Sequence, residues 1–253
     1  MSNRSTDFIA SLAKGLNVIE AFSAETPKMS ITDVAAKTGL DRATARRCLL
    51  TLNSLGYADY DGKFFTLTPR VLRLGMGALA ALPLPQIVQP WLDQLSARIG
   101  HSASASILDE TEIVYVARAA QRRVMSIGLM PGTRLPAHCT SMGRVLLAAL
   151  PEGEARAIVE RSDLTPRTPL SLTDPDAVMA RIAQVRADGY AIIDQEVELG
   201  LRSIAVPIRN AHGQTVAALN TGMAAVHAEA SELATLYLEE LLRVQAGLSR
   251  VVL

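Results

Sequence analysis

The sequence predicts an α+β chain: an N-terminal winged helix-turn-helix, a linker helix and a C-terminal α/β domain. Three observations predict it. Residues 30–67 run as a short helix, a tight turn, a longer helix and a D-G hairpin. Pro83 and Pro85 then break an apolar segment. Beyond them, short strands alternate with helices, the pattern of helices packed on a sheet. The expected divisions are residues 1–68, 69–82 and 83–253 of the 253-residue chain.

In the first division, residues 8–22 form an amphipathic helix with Leu12, Leu16, Ile19 and Phe22 on one side. That side is expected to pack behind the helix pair. Ser30 caps the next helix, and Asp33 three residues on completes a capping box. Val34 and Ala35 give this helix its apolar face, and Gly39 ends it. Asp41 caps the longer helix, whose buried stripe is Ala45, Cys48, Leu49, Leu52 and Leu55. Leu50 falls on the polar side and fits only if it packs on the wing. The opposite face carries Ala43, Arg46 and Arg47, with Thr44 and Thr51 alongside and Arg42 flanking the stripe. Arginine offers paired donors to guanine edges and phosphates, and threonine does so more weakly. Gly56 ends the helix, and residues 57–60 and 63–67 pair across Asp61-Gly62. Lys63 sits at the wing tip, where a phosphate contact is natural. Arg42, Thr44, Arg46, Arg47 and Lys63 are therefore the candidate contacts to the DNA major groove and backbone. An arginine pair alone is more readily a solvated helix face, by about two to one. The ordered set of turn, helix, arginines and wing favours DNA.

Charge is divided along the chain. Net charge is zero, yet residues 1–73 carry ten basic against seven acidic side chains, and the remainder is −3. A basic front and an acidic back suit a DNA-binding part joined to one that does not bind DNA. The two cysteines, Cys48 and Cys139, fall in different divisions, which argues for a reduced, cytoplasmic setting. No basic stretch followed by an apolar run opens the chain, so no signal peptide is expected. The apolar residues 79–91 are too short and too proline-broken to span a membrane.

Residues 69–82 read as a helix leaving the wing, either a plain linker or a dimer seam through Leu74 and Leu79. Gly75 and Gly77 in it permit close helix approach. The last division opens with a helix over 86–99. Strands follow at 103–108, 112–118 and 124–127, then helices at 139–150 and 153–161. Asp174-Pro175 starts a helix that ends at Gly189. Strands at 190–193, 204–209 and 215–221 and a closing helix over 231–248 complete it.

Three ordered blocks resemble the IclR family of bacterial transcription regulators. They are T-D-V-A-A-K-T-G-L-D-R-A-T-A-R-R-C-L-L-T-L-N-S-L-G-Y, then L-P-A-H-C-T-S-M-G-R-V-L-L-A-A-L from Leu135, and D-G-Y-A-I-I-D-Q-E-V-E-L-G-L-R-S-I-A-V-P-I from Asp188. The wording of A-R-R-C-L, L-P-A-H-C-T-S-M-G-R and D-Q-E-V-E-L-G-L-R-S-I-A-V-P-I is most similar to one branch. Its members answer to 4-hydroxybenzoate, protocatechuate or β-ketoadipate and govern aromatic catabolism. The resemblance implies a GAF-like effector domain, a homodimer or homotetramer, double-stranded operator DNA and RNA polymerase as partners, and activation or repression as the outcome. It implies a small aromatic or dicarboxylic acid as effector; from the residues themselves, with no P-loop, dinucleotide fingerprint, clustered metal ligands or membrane-length apolar run, no cofactor, metal or membrane is expected. The implied pocket positions are Asp194, Ser203, Asn220 and Gly222, with the loop Gly132–Leu135. Related proteins often place small hydroxyl residues where this chain has Asn220 and Gly222, and Gly222 offers only backbone.

The residues themselves suit an acid. Thr140, Ser141 and Met142 start a helix whose free N–H groups attract a carboxylate. Arg134 is either a charged fork for that carboxylate or an exposed loop charge. Leu129 and Leu135 would hold the body of the ligand. Ser203 and Asn220 are otherwise ordinary strand residues. Three alternatives remain: an IclR-type repressor outside catabolism with another small-acid effector, a structural DNA binder without a ligand, and an enzyme using Cys139. The last has little support, because His138 and Cys139 merely adjoin and no G-x-S-x-G setting is present. His212-Gly213 is expected to be a hairpin turn.

Overall fold

The structure, a computed structural model, describes residues 8–23, 26–74, 83–121 and 129–252. It divides into two compact units, Met1–Ala81 and Leu82–Leu253.

The first unit runs α1 (Ala10–Glu20), β1 (Lys28–Met29), α2 (Ile31–Thr38), α3 (Arg42–Ser54), β2 (Ala58–Tyr60) and β3 (Phe65–Leu67). Ser30 and Asp33 form the capping box of α2 in both directions, and Gly39 ends it at φ +68°. Asp41 Oδ1 accepts from Thr44 N at 2.9 Å and caps α3. Asp61 Oδ1 accepts from both Lys63 N and Phe64 N, which closes the wing turn at Gly62, φ +99°. The strand β1 was not expected from sequence. It pairs with β3, so the wing is a three-stranded sheet in the order β1-β3-β2.

The core of this unit is Val18, Met29, Val34, Ala45, Leu49, Leu52 and Phe65. Cys48 and Leu50 are half-buried against it, so Leu50 does find apolar partners. Three expectations change. Leu12 and Leu16 are exposed, and Val18 is the buried residue of α1. Leu55 is exposed. The segment after the wing begins with a 3-10 turn, Pro69–Val71, and is helical at 72–74. Its expected continuation through Leu79, like the expected strand at 124–127, lies outside the described residues.

The second unit runs α4 (Pro83–Ile99), β4 (Ser102–Asp109), β5 (Glu112–Ala119), β6 (Arg134–Pro136), α5 (Ser141–Ala148), α6 (Glu152–Arg161), α7 (Pro175–Asp188), β7 (Ala191–Asp194), β8 (Leu201–Arg209), β9 (Thr215–Ala224) and α8 (Leu233–Leu248). Its six strands form an antiparallel sheet in the order β6-β5-β4-β9-β8-β7. Helices α4 and α8 share a core with one face, through Val88, Leu92, Ile204, Leu219 and Leu241. Helices α5, α6 and α7 share a second core, through Ile113, Met142, Leu147, Val159 and Ile182. Trp91 of α4 lies so close to α8 that a Cβ at Gly247 would fall 2.2 Å from its ring. Gly213 turns β8 into β9 at φ +80°, with Asn210 Oδ1 accepting from His212 N and Gln214 N, as the sequence predicts.

One irregularity shapes the site. The β4–β5 register passes from Ala105↔Ala117 to Ser106↔Tyr115, so Val116 is an inserted residue. Tyr115 and Arg118 therefore project from the same face of β5, although strict alternation would separate them.

Candidate DNA-binding surface and effector pocket

On the first unit, Arg42, Ala43, Arg46 and Arg47 of α3 are exposed, as is Lys63 at the wing tip, whose Nζ stands 5.0 Å over the Phe64 ring. They lie on the helix and turn from which a winged module reads DNA. Thr44 differs from expectation. It is 7% exposed, on a helix against which both α1 and α2 pack. Its hydroxyl accepts from Arg47 Nη2 at 3.2 Å. Thr44 thus holds an arginine in place and does not itself project outward.

On the second unit, a small cavity opens between the sheet and the start of α5. Seven of the expected residues line it: Leu135, Thr140, Ser141, Met142, Ser203, Asn220 and Gly222. Leu129 lines it too. Thr140 Oγ1 accepts from Gly143 N and caps α5, and Ser203 Oγ donates to Ser141 Oγ at 2.9 Å. Gly143 is required where it stands, since a Cβ there would lie 2.1 Å from Ala137 O. Asn220 lines the cavity and is 9% exposed, and its side-chain amide has no hydrogen-bond partner among the described residues.

Three expected residues lie elsewhere. Arg134 is on β6 and not on a loop, paired with Val114 of β5. Its Nε and Nη1 reach Glu112 Oε2 and Asp109 Oδ2, each at 2.7 Å, so its fork is already occupied. Asp194 accepts from Arg202 Nε at 2.6 Å on the far end of the sheet. Gly132 makes a turn at φ +91°, its N–H donating to Tyr115 O at 2.7 Å. It shapes the loop without lining the cavity.

Five polar residues of this face were missed from sequence. Ser102, Ser104 and Ser106 alternate with alanines along β4 and turn their hydroxyls to this side. Ser104 Oγ accepts from Arg118 Nη1 at 2.9 Å, and Ser106 Oγ donates to Met142 Sδ. Arg118 and Ser102 line the cavity. Burial pulls the Arg118 guanidinium below the usual arginine value, and it has no carboxylate partner among the described residues. Tyr115 also lines the cavity, and burial pushes its phenol up to about 12. The phenol therefore stays a neutral donor. Both Arg118 and the serines were visible as polar residues inside a strand pattern, S-A-S-A-S and V-Y-V-A-R-A.

The chemistry of the arrangement is recognition. Cys139 is buried, and burial pushes its thiol up to about 11, away from a nucleophilic thiolate. Among the described residues no group of three His, Cys, Asp or Glu could hold a metal ion, and no helix is long and apolar enough to cross a membrane.

Comparison with known proteins agrees with both halves. Residues 11–62 match the IclR helix-turn-helix domain, and residues 76–250 match the bacterial transcriptional regulator IclR C-terminal domain. The chain is 45% identical to the Pca regulon regulatory protein of Pseudomonas putida over 96% of its own length and 84% of that protein. It is 42% identical to the p-hydroxybenzoate hydroxylase transcriptional activator of Acinetobacter baylyi, over 86% and 82%. Among solved structures it resembles the inducer-binding domain of the Acinetobacter PobR transcription factor, a double mutant in complex with 3-hydroxybenzoic acid. That match has a TM-score of 0.63 at 35% identity and covers 66% of this chain and 98% of that one. An exposed arginine face on a winged helix, a polar-lined cavity under a second helix and matches spanning both units place this chain in the IclR family of transcription regulators.

Proposed function

We propose that this regulator binds operator DNA as a homo-oligomer and answers to a small carboxylic acid of aromatic catabolism held in the cavity beneath α5. Residues 1–68 bind DNA, 69–82 link, and 83–253 hold the effector. The observation that carries this reading is the cavity, whose apolar walls are broken by a few placed polar groups, the usual form of a small-molecule site. Two relatives, a Pca regulon regulatory protein and a p-hydroxybenzoate hydroxylase transcriptional activator, support the chemical class. The candidate acids are 4-hydroxybenzoate, protocatechuate and β-ketoadipate. The protein works in the cytoplasm by binding and not by catalysis, and acts on RNA polymerase from its operator.

Homo-oligomerisation is supported by apolar side chains left at the surface of the first unit, Leu12, Leu16, Leu72 and Leu74. A single helix-turn-helix spans few bases, and paired half-sites follow a protein's own two-fold symmetry. The test is calorimetry and thermal unfolding of the full chain with each of the three acids. Heat of binding and a raised unfolding temperature with at least one acid are expected. No response to any of them would overturn the effector assignment and leave the family untouched.

A further inference from the structure

The cavity has two chemically different ends. Arg118, Ser104 and Asn220 form one cross-strand row over β5, β4 and β9, by the pairs Ser104↔Arg118 and Ser104↔Asn220. The adjoining row holds Ser102, Gly222 and Ser203 over β4, β9 and β8. At a strand spacing of about 4.8 Å, β5 and β8 lie about 14 Å apart. An extended arginine side chain and one aromatic ring together bridge that distance. The cationic end is Arg118, steadied by one neutral hydroxyl and by no acid among the described residues. The other end holds neutral donors and acceptors: the Ser203–Ser141 hydroxyl pair and the unpartnered amide of Asn220, a residue 9% exposed.

We propose, resting on the effector reading above, that the ligand is an aromatic monocarboxylic acid with its carboxylate on Arg118 and its ring hydroxyl between Asn220 and the Ser203–Ser141 pair. This reverses the orientation the sequence suggests, in which the carboxylate meets the start of α5. Magnitudes decide between the two. A helix terminus favours an anion by about two- to fivefold at a surface and up to about thirtyfold when buried, but one of the α5 amides, Gly143 N, is already taken by Thr140 and the terminus carries no full charge. A charge-assisted bond to the part-buried Arg118 guanidinium, which has no carboxylate partner among the described residues, favours it by about ten- to a hundredfold. The inserted Val116 brings Tyr115 to the same face as Arg118, where its neutral phenol gives the carboxylate a second donor.

The test is calorimetry on the full chain with 4-hydroxybenzoate, benzoate, 4-hydroxybenzamide and adipate. Wild-type protein is expected to bind 4-hydroxybenzoate about ten- to a hundredfold tighter than the uncharged amide and tighter than adipate. Arg118→Gln should lose that advantage for the acid and leave the amide unchanged, with Arg118→Lys restoring part of it. Ser203→Ala should weaken 4-hydroxybenzoate and leave benzoate unchanged. Equal binding of acid and amide by the wild type overturns the proposal even if Arg118→Gln fails to fold. So does undiminished binding of 4-hydroxybenzoate by a folded Arg118→Gln, or adipate binding as tightly as 4-hydroxybenzoate. If wild-type protein binds no acid at all, it is the effector reading itself that fails.

Discussion

Arg144 Nη2 and Glu196 Oε2 stand 2.6 Å apart, with side chains only 3% and 10% exposed. Arg144 lies on α5, two residues after Met142 of the cavity, and its Nε also donates to His138 O at 2.9 Å. Glu196 precedes Val197, another cavity residue. Its backbone carbonyl accepts from Ser171 Oγ, and the carbonyl of Gln195 accepts from Thr168 Oγ1. One ion pair therefore joins the helix over the cavity to the loop at its side. Burial pulls the guanidinium below its usual value, and the adjacent carboxylate pushes it back up.

Removing one partner of a buried pair leaves an uncompensated charge, which costs about 3–5 kcal/mol. Glu196→Gln is expected to destabilise the second unit by about 3 kcal/mol at the lower end of that range. Trp91, the chain's one tryptophan, sits in this unit between α4 and α8, so its fluorescence follows the relevant unfolding in denaturant. A double replacement, Arg144→Met with Glu196→Leu, should recover much of the loss. An unaltered midpoint in Glu196→Gln would show that the pair contributes no net stability.

His138 gives the same region a pH dependence. Its Nδ1 is buried without a hydrogen-bond partner among the described residues. Burial first, and the Arg144 charge second, lower its pKa from 6.5 to about 4. Between those values the unfolded chain takes up a proton that the folded chain refuses. Stability from this group is thus complete above about pH 6.5 and is lost as pH falls toward 4. His138→Gln has no such proton to take up. Unfolding midpoints across pH 4–7 should therefore fall less steeply in this variant, and parallel curves would remove His138 as the cause.

The first unit was legible because its signals are local. The Ser30–Asp33 box, the Asp41 cap, the left-handed Gly39 and the Asp61-Gly62 turn each act within four residues. What escaped depends on distant partners. Thr44 is buried on a helix against which both α1 and α2 pack, tertiary contacts that its own spacing does not show. The turn before Arg134 resembles a loop until β6 pairs with the edge of β5, where Asp109 and Glu112 take the guanidinium. Arg118 is hidden by the inserted Val116, which breaks the two-residue alternation that sequence reading relies on. Ser203 and Asn220 were found through family resemblance, since nothing in their own spacing marks strand residues as a pocket, whereas the start of α5 could be read from its own helix-start residues.

Oligomer assembly is expected to involve the segment that follows the wing. Leu72 and Leu74 are both exposed beside the Pro69–Val71 turn, a placement that leaves apolar surface uncovered in a single chain. Leu74→Glu should lower the molar mass measured by light scattering and weaken operator binding together, because two half-sites must be held at once. Unchanged mass and affinity would exclude this segment as the seam.

Operator binding itself should divide by residue. Arg46 and Arg47 are exposed on α3, and each alanine substitution should cost about 1–3 kcal/mol where the side chain reads a base. Arg42 starts the same helix and is placed for a phosphate or a groove edge. Thr44→Val removes the hydroxyl that holds Arg47, so its effect should be smaller than that of Arg47→Ala and absent in an Arg47→Ala background. Lys63→Ala, at the wing tip, should weaken all sequences alike and lower the slope of log affinity against log salt by about one. Titrations at several salt concentrations, with operator and with random duplex, separate these roles. Loss confined to the operator marks a base reader, and equal loss on both duplexes marks a phosphate contact. Operator affinity unaltered in the Arg46→Ala, Arg47→Ala double variant would show that α3 does not present this face to DNA.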